Sequence, residues 1–346
     1  MIDVYAHIRV RVTNGIGGPA LCRTRQLAAS CRQESDSRIS AAATSSTVNA
    51  TEIAHFSRLS SLWWNEQGEF SLLHRMNPVR VRYIREKILE ATCEDQGEDA
   101  RRELESKCAV LTGMDVLDVG CGGGLLSESL ARLGARTIGI DASESNIGIA
   151  STHASGDPQL SSSGNSLEYR HTSAEQLVKE PKRFDVVCSM EVIEHVDNPV
   201  AFLSACAQLV KPGGHLFLST IARTPLSYFI TILAGEYVLR KVAVGTHTYS
   251  KFVNPSELIS FFQTYRSSPS SSSNPTDFGH IGSDVSPRPW ITRTYAHGLP
   301  TRLEADVRGI VYIPWSGEWK LMPRSSTPWG AVECNYLFWV RRPLDS

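Results

Sequence analysis

The chain has no C-x-x-C pair, and its eight cysteines are scattered. A disulfide framework or zinc knuckle is therefore not expected, and a reducing compartment fits better. No apolar run reaches the roughly 18 residues that a bilayer-spanning helix needs. Charge of one sign is also missing: 35 Lys+Arg against 36 Asp+Glu leave a formal net charge of -1. Without a basic field, no nucleic-acid partner is expected. There are no internal repeats. What is present is an ordinary globular balance, 41% hydrophobic and 21% charged over 346 residues. That length can bury one large core or two modest ones.

Two segments depart from this average. Residues 1–50 contain Arg9, Arg11, Arg23, Arg25 and Arg32, no lysine, and only Asp3 as an acid before Glu34, and they end in a Ser/Ala/Thr-rich stretch at 40–50. Basic, serine-rich and acid-poor is the composition of a mitochondrial transit peptide; the alternative is a disordered tail. Residues 51–346 then form the folded domain. Within it, the serine run at 267–273 and Pro275, Pro287 and Pro289 read as a surface insertion at about 266–290.

The middle of the chain alternates strand and helix patterns, which predicts βαβ units and a parallel sheet. Strands are expected at 116–119, 137–141, 167–170, 184–189 and 215–220. Helices are expected at 125–133 and 201–209, the second stopped by Lys211-Pro212-Gly213-Gly214. A late aromatic strand at 335–340 is expected to run antiparallel, at or near an edge. The fold class is thus α/β, a Rossmann-like doubly wound and mainly parallel sheet with an antiparallel C-terminal strand.

Asp118-Val119-Gly120-Cys121-Gly122-Gly123-Gly124 follows the first strand and opens a helix. Glycines permit a tight turn and close approach of a ligand. Asp141 lies about 20 residues on, at the end of the second strand, where an acid accepts hydrogen bonds from ribose hydroxyls. The third glycine of a dinucleotide fingerprint is replaced by Leu125, which favours a nucleoside cofactor without a pyrophosphate. Glu191, Glu194 and His195 follow the fourth strand, where open α/β sheets place their crevice. Their spacings put them on one face of a helical turn. Two carboxylates and an imidazole suit a divalent cation; the alternative is a solvated acidic turn. The pattern differs from H-x-x-E-H at its first position, which excludes that protease motif.

The glycine loop, Asp141 and the Lys-Pro-Gly-Gly turn resemble class I methyltransferases. Trp63-Trp64, His74-Arg75-Met76-Asn77-Pro78-Val79-Arg80, Glu191-Val192-Ile193-Glu194-His195-Val196 and Gly245-Thr246-His247 narrow the resemblance to the ubiquinone-biosynthesis O-methyltransferases of mitochondria. The resemblance runs from about residue 53 to 262. It implies S-adenosylmethionine as cofactor, held by Arg80, Gly120, Asp141 and Met190. It implies a divalent cation of the magnesium type at Glu191, Glu194 and His195, and a polyprenylated phenolic substrate methylated at a hydroxyl. It further implies a ubiquinone-biosynthesis protein complex and a place on the matrix side of the mitochondrial inner membrane. His195 is either ligand or general base.

Residues 226–242 include Leu226, Phe229, Ile230, Ile232, Leu233, Tyr237, Val238 and Leu239, closed by Arg240 and Lys241. Too short to span, the stretch is expected to make peripheral contact with a membrane and admit a polyprenyl tail; the alternative is a lid without lipid contact. The chain departs from the family pattern at 263–292, which is longer and richer in Ser and Pro, and at 307–323, which carries Trp315 and Trp319. Two further readings stay open: a methyltransferase for another small molecule, and a non-catalytic assembly module that keeps the cofactor fold.

Overall fold

A computed structural model describes residues 47–161, 167–228, 249–267, 288–295 and 298–344. The chain divides into a unit 1–38 and a unit 39–346, and all that follows concerns the second. Most of the expected transit peptide, residues 229–242 of the lipid-contact stretch, Gly245-Thr246-His247 and most of the Ser/Pro-rich insertion lie outside the described residues.

Eight strands form one sheet: β1 (Asp115–Val119), β2 (Arg136–Asp141), β3 (Leu167–His171), β4 (Phe184–Met190), β5 (Val210–Ile221), β6 (Ala305–Ile313), β7 (Glu318–Leu321) and β8 (Asn335–Arg341). Their order is β3-β2-β1-β4-β5-β8-β6-β7. The first five run parallel, while β8 is antiparallel to both β5 and β6. The helices used below are α1 (Ala50–Leu59), α2 (Ser71–Gln96), α4 (Leu125–Arg132), α5 (Glu144–Ser155), α6 (Pro199–Leu209) and α7 (Pro255–Thr264), with α3 (Glu98–Ser106) between α2 and β1.

Both sheet faces are covered, which explains the unbroken apolar runs of the central strands. Successive strand residues point to opposite faces. Leu117 and Val119 of β1 join one core with Leu203 of α6 and Phe262 of α7. Val116 joins the other, with Tyr83 and Ile88 of α2 and Leu130 of α4. β8 divides the same way, Tyr336, Phe338 and Val340 to the first core, Leu337 and Trp339 to the second.

Two expectations are refined. The aromatic strand at 335–341 is near an edge rather than at it: β6 and β7 lie beyond it. Its two-sided burial agrees with an interior place. The Lys211-Pro212-Gly213-Gly214 segment does end α6, but it belongs to the start of β5. Gly213 has φ +74°, and the β4–β5 register shifts between Phe184 and Val186, so the turn is absorbed as a bulge. Trp319, one of the unusual tryptophans, donates to Leu72 O on α2 at 3.1 Å. Trp315, on the β6–β7 hairpin, is 89% exposed. Among the described residues no helix is long and apolar enough to cross a membrane.

The strand order reverses between β1 and β4. A crevice opens at such a switch point, beyond the carboxyl ends of the strands. The glycine loop leaves β1 there, and Glu191 leaves β4.

Candidate active site

The glycine loop is tied to the end of β2. Gly120 N and Cys121 N both donate to Ile140 O, at 2.8 and 3.0 Å. Asp141 closes the junction: one oxygen accepts from Gly122 N at 2.9 Å, the other from Ser143 N at 2.7 Å and Asn146 Nδ2 at 3.3 Å. Burial raises the Asp141 carboxyl, against these donors. Gly120 must be glycine here: its φ is +74°, and a Cβ would meet Val192 Cγ2 at 2.5 Å. Asp118, at the end of β1, is buried against Ser127 Oγ at 2.6 Å, and burial pushes it up to about 6.

A strap from Thr47 to Phe70 covers this loop. Asn49 caps α1 by accepting from Thr51 N and Glu52 N and donates to Asp197 Oδ1 at 2.6 Å. Ser57 and Ser143 share a hydrogen bond of 2.7 Å. Trp63 Nε1 donates to Asn146 Oδ1 at 3.1 Å, and Trp64 Nε1 to Gly123 O at 3.0 Å. The Trp63 indole lies so close that a Cβ on Gly122 would meet its Cζ2 at 2.3 Å. The Trp-Trp pair is thus a clamp on the glycines, which gives that motif a physical reason. A cavity of about 160 Å³ remains, lined by Glu52, Phe56 and Trp63 of the strap and by Gly120, Asp141 and His195 among others.

Trp63→Ala is expected to weaken S-adenosylmethionine about tenfold, through the lost hydrogen bond and indole contact, each worth about 1 kcal/mol or less. Turnover at saturating cofactor should hold. Calorimetry with the variant checks this, and an unchanged affinity would remove Trp63 from the binding wall.

The group after β4 is arranged differently from a helical face. Glu191 precedes the short 3-10 turn Ile193–His195 and has φ +58°, the only non-glycine with positive φ among the described residues. Such a backbone costs about 1–3 kcal/mol and persists where its surroundings hold it. Glu191 N does so by donating to Ser219 O at 3.0 Å. The turn then sends three side chains three ways. Glu191 lines the cavity, with Oε1 3.6 Å from Arg80 Nη2. Glu194 is buried and accepts from Thr220 Oγ1 at 2.9 Å, and burial raises it to about 7. His195 Nδ1 lies 3.2 Å from Glu52 Oε2 on α1. Burial disfavours the His195 cation, but the Glu52 hydrogen bond and the nearby carboxylates outweigh it and raise its pKa. The same hydrogen bond, with one from Lys251 Nζ at 3.0 Å, holds Glu52 down at about 2.

Among the described residues no group of three or more His, Cys, Asp or Glu side chains is gathered so as to hold a metal ion. The expected trio does not form a cage: an arginine attends Glu191, Glu194 faces the core, and His195 faces α1. S-adenosylmethionine fits better. Asp141 and the positive-φ glycines suit a nucleoside, and Arg80 is 4% exposed rather than a surface charge. Its Nε and Nη2 are buried without a close hydrogen-bond partner, and its charge is met by the Glu191 carboxylate at 3.6 Å. Arg80 lies behind Glu191, outside the cavity wall. Met190 ends β4 in the same apolar core as Tyr83 and Phe217, also outside that wall.

Glu52, Phe56 and Asn146 were not legible in the sequence as site residues. Glu52 and Phe56 meet His195, about 140 positions away, and Asn146 meets Trp63 across 83, distances that no local pattern encodes.

Residues 86–265 match the family described as a methyltransferase domain. A ubiquinone biosynthesis O-methyltransferase from Brucella anthropi is 47% identical over 212 residues, 61% of this chain and 79% of that protein. Its namesake from Cereibacter sphaeroides is 44% identical over 214 residues, 62% and 81% of the two chains. That from Rhizobium etli is 46% identical over 213 residues, 62% and 80%. With a switch-point crevice, an Asp141-anchored glycine loop and this degree of identity, the chain belongs to the S-adenosylmethionine-dependent ubiquinone biosynthesis O-methyltransferases.

Proposed function

We propose that this enzyme methylates a phenolic hydroxyl of a polyprenylated dihydroxybenzoate in ubiquinone synthesis, at a membrane surface on the matrix side of the mitochondrial inner membrane and within a protein complex of that pathway. The observation that carries the chemistry is His195, held by Glu52 in the wall of the same cavity as Asp141 and Gly120. S-adenosylmethionine, when bound, supplies an already electrophilic methyl carbon. What remains for the protein is alignment and removal of a proton. A phenol has a pKa of about 10 and attacks poorly until deprotonated. With Nδ1 engaged by Glu52, the His195 Nε2 is the nitrogen available to take that proton. Asp141 and the glycine loop hold the nucleoside end; the resemblance gives the carboxylate end to Arg80, which stands outside the cavity wall behind Glu191.

The divalent-cation reading of Glu191, Glu194 and His195 rests on the resemblance, and the arrangement of their side chains argues the other way. Methyl transfer to a polyprenylated dihydroxybenzoate, with and without chelator, tests both parts. Activity on that acceptor and none on unrelated small molecules supports the substrate. Undiminished turnover after exhaustive dialysis against chelator is the expected result; loss restored by Mg²⁺ would reinstate the cation. The lipid-contact reading of 226–242 is tested separately. Phe229→Asp with Leu233→Asp should weaken liposome binding and activity on long-tailed acceptors but spare a short soluble catechol.

A further inference from the structure

We infer that Glu52 of α1 is a positioning residue for His195, so that the strap which closes over the cofactor also completes the acceptor side of the active site. The inference rests on the reading of His195 as the residue facing the acceptor, and it holds whichever task His195 performs there.

Three observations on α1 converge. Glu52 Oε2 takes the Nδ1 side of the imidazole at 3.2 Å. Phe56, one helical turn on, sets its ring edge-on to His195 with centroids 5.0 Å apart and planes at 89°. Glu52 and Phe56 both line the cavity. A carboxylate on Nδ1 fixes the ring tautomer and its rotation, and it leaves Nε2 as the working nitrogen. The i, i+4 spacing places carboxylate and ring on the same face of α1.

Simple tethering of α1 does not account for Glu52. The helix is already fastened by Asn49 to Asp197, by Ser57 to Ser143, and by the tryptophans just beyond it. Glu52 instead places its carboxylate between His195 and Lys251, its side chain only 22% exposed. A half-buried carboxylate is favourable only where its partners compensate the lost water. His195 and Lys251 belong to segments on either side of the stretch expected to meet lipid, so the carboxylate joins both to the strap.

The test is a double-mutant cycle in the full chain. Glu52→Ala is expected to lower kcat about 10- to 100-fold, the range for removal of a histidine's orienting partner, while KM for S-adenosylmethionine and the melting temperature change little. Glu52→Gln keeps an acceptor oxygen for Nδ1–H and should recover most of the loss. Glu52→Ala added to His195→Ala should cost nothing more, since Glu52 acts through the imidazole. A kcat for Glu52→Ala within threefold of the parent overturns the proposal. So does a loss that multiplies with that of His195→Ala, or a parallel fall in cofactor affinity and melting temperature without rescue by Gln, which would mark a strut. If His195→Ala itself retains full activity, the reading of His195 has failed and the role given to Glu52 falls with it.

Discussion

Asp141→Ala is expected to weaken S-adenosylmethionine binding by about 30- to 1,000-fold. The residue does two things at once. Its carboxylate is placed to receive ribose hydroxyls, and it accepts hydrogen bonds from Gly122 N and Ser143 N. Alanine would leave the ribose hydroxyls without their acceptor in the complex, at about 1–3 kcal/mol each, and each 1.4 kcal/mol is about a factor of ten. The two amides lose their acceptor in the free enzyme as well, so their cost appears as a lower melting temperature. Asp141→Asn, which keeps an acceptor oxygen, should fall between. Titration calorimetry on folded protein gives the answer, and an affinity equal to the parent's would place the cofactor elsewhere.

His195→Ala is expected to lower kcat by about 10²- to 10⁴-fold, the usual range for a positioned proton-transfer group, with cofactor affinity nearly unchanged. The separation follows from geometry. His195 touches α1 through Glu52 and Phe56, while the nucleoside groups hang from β1 and β2. Initial rates at saturating cofactor, paired with calorimetry, separate the two effects. A variant that binds poorly but turns over normally would reverse the assignment.

The parallel half of the sheet was legible in the sequence because its physics is local. A strand buried on both faces must read as an apolar run, and 116–119 and 184–189 do so within a residue or two of the observed ends. Asp141 could be placed because the acid ends a strand and the glycines end its neighbour. Glu191, Glu194 and His195 were found but their directions were not. Spacing suggests a shared helical face, whereas the left-handed backbone at Glu191 breaks the helix before it starts. No pattern of apolar residues encodes a single inverted φ. Glu52 was missed because its partner lies 143 positions away, and charge on an amphipathic helix ordinarily faces water. The two strands beyond β8 are not legible for a related reason: its apolar residues announce a strand but not its neighbours.

The interior place of β8 has a bearing on how the molecule is made. β5 has β4 on one side and β8 on the other, and everything in β6 and β7 reaches the sheet through β8. Any intermediate in which β1 to β5 have paired but β8 has not would leave the backbone of β5, with Leu216, Phe217 and Leu218, as a bare edge of the kind that recruits foreign strands. Docking of Asn335–Arg341 is therefore the step that seals the sheet.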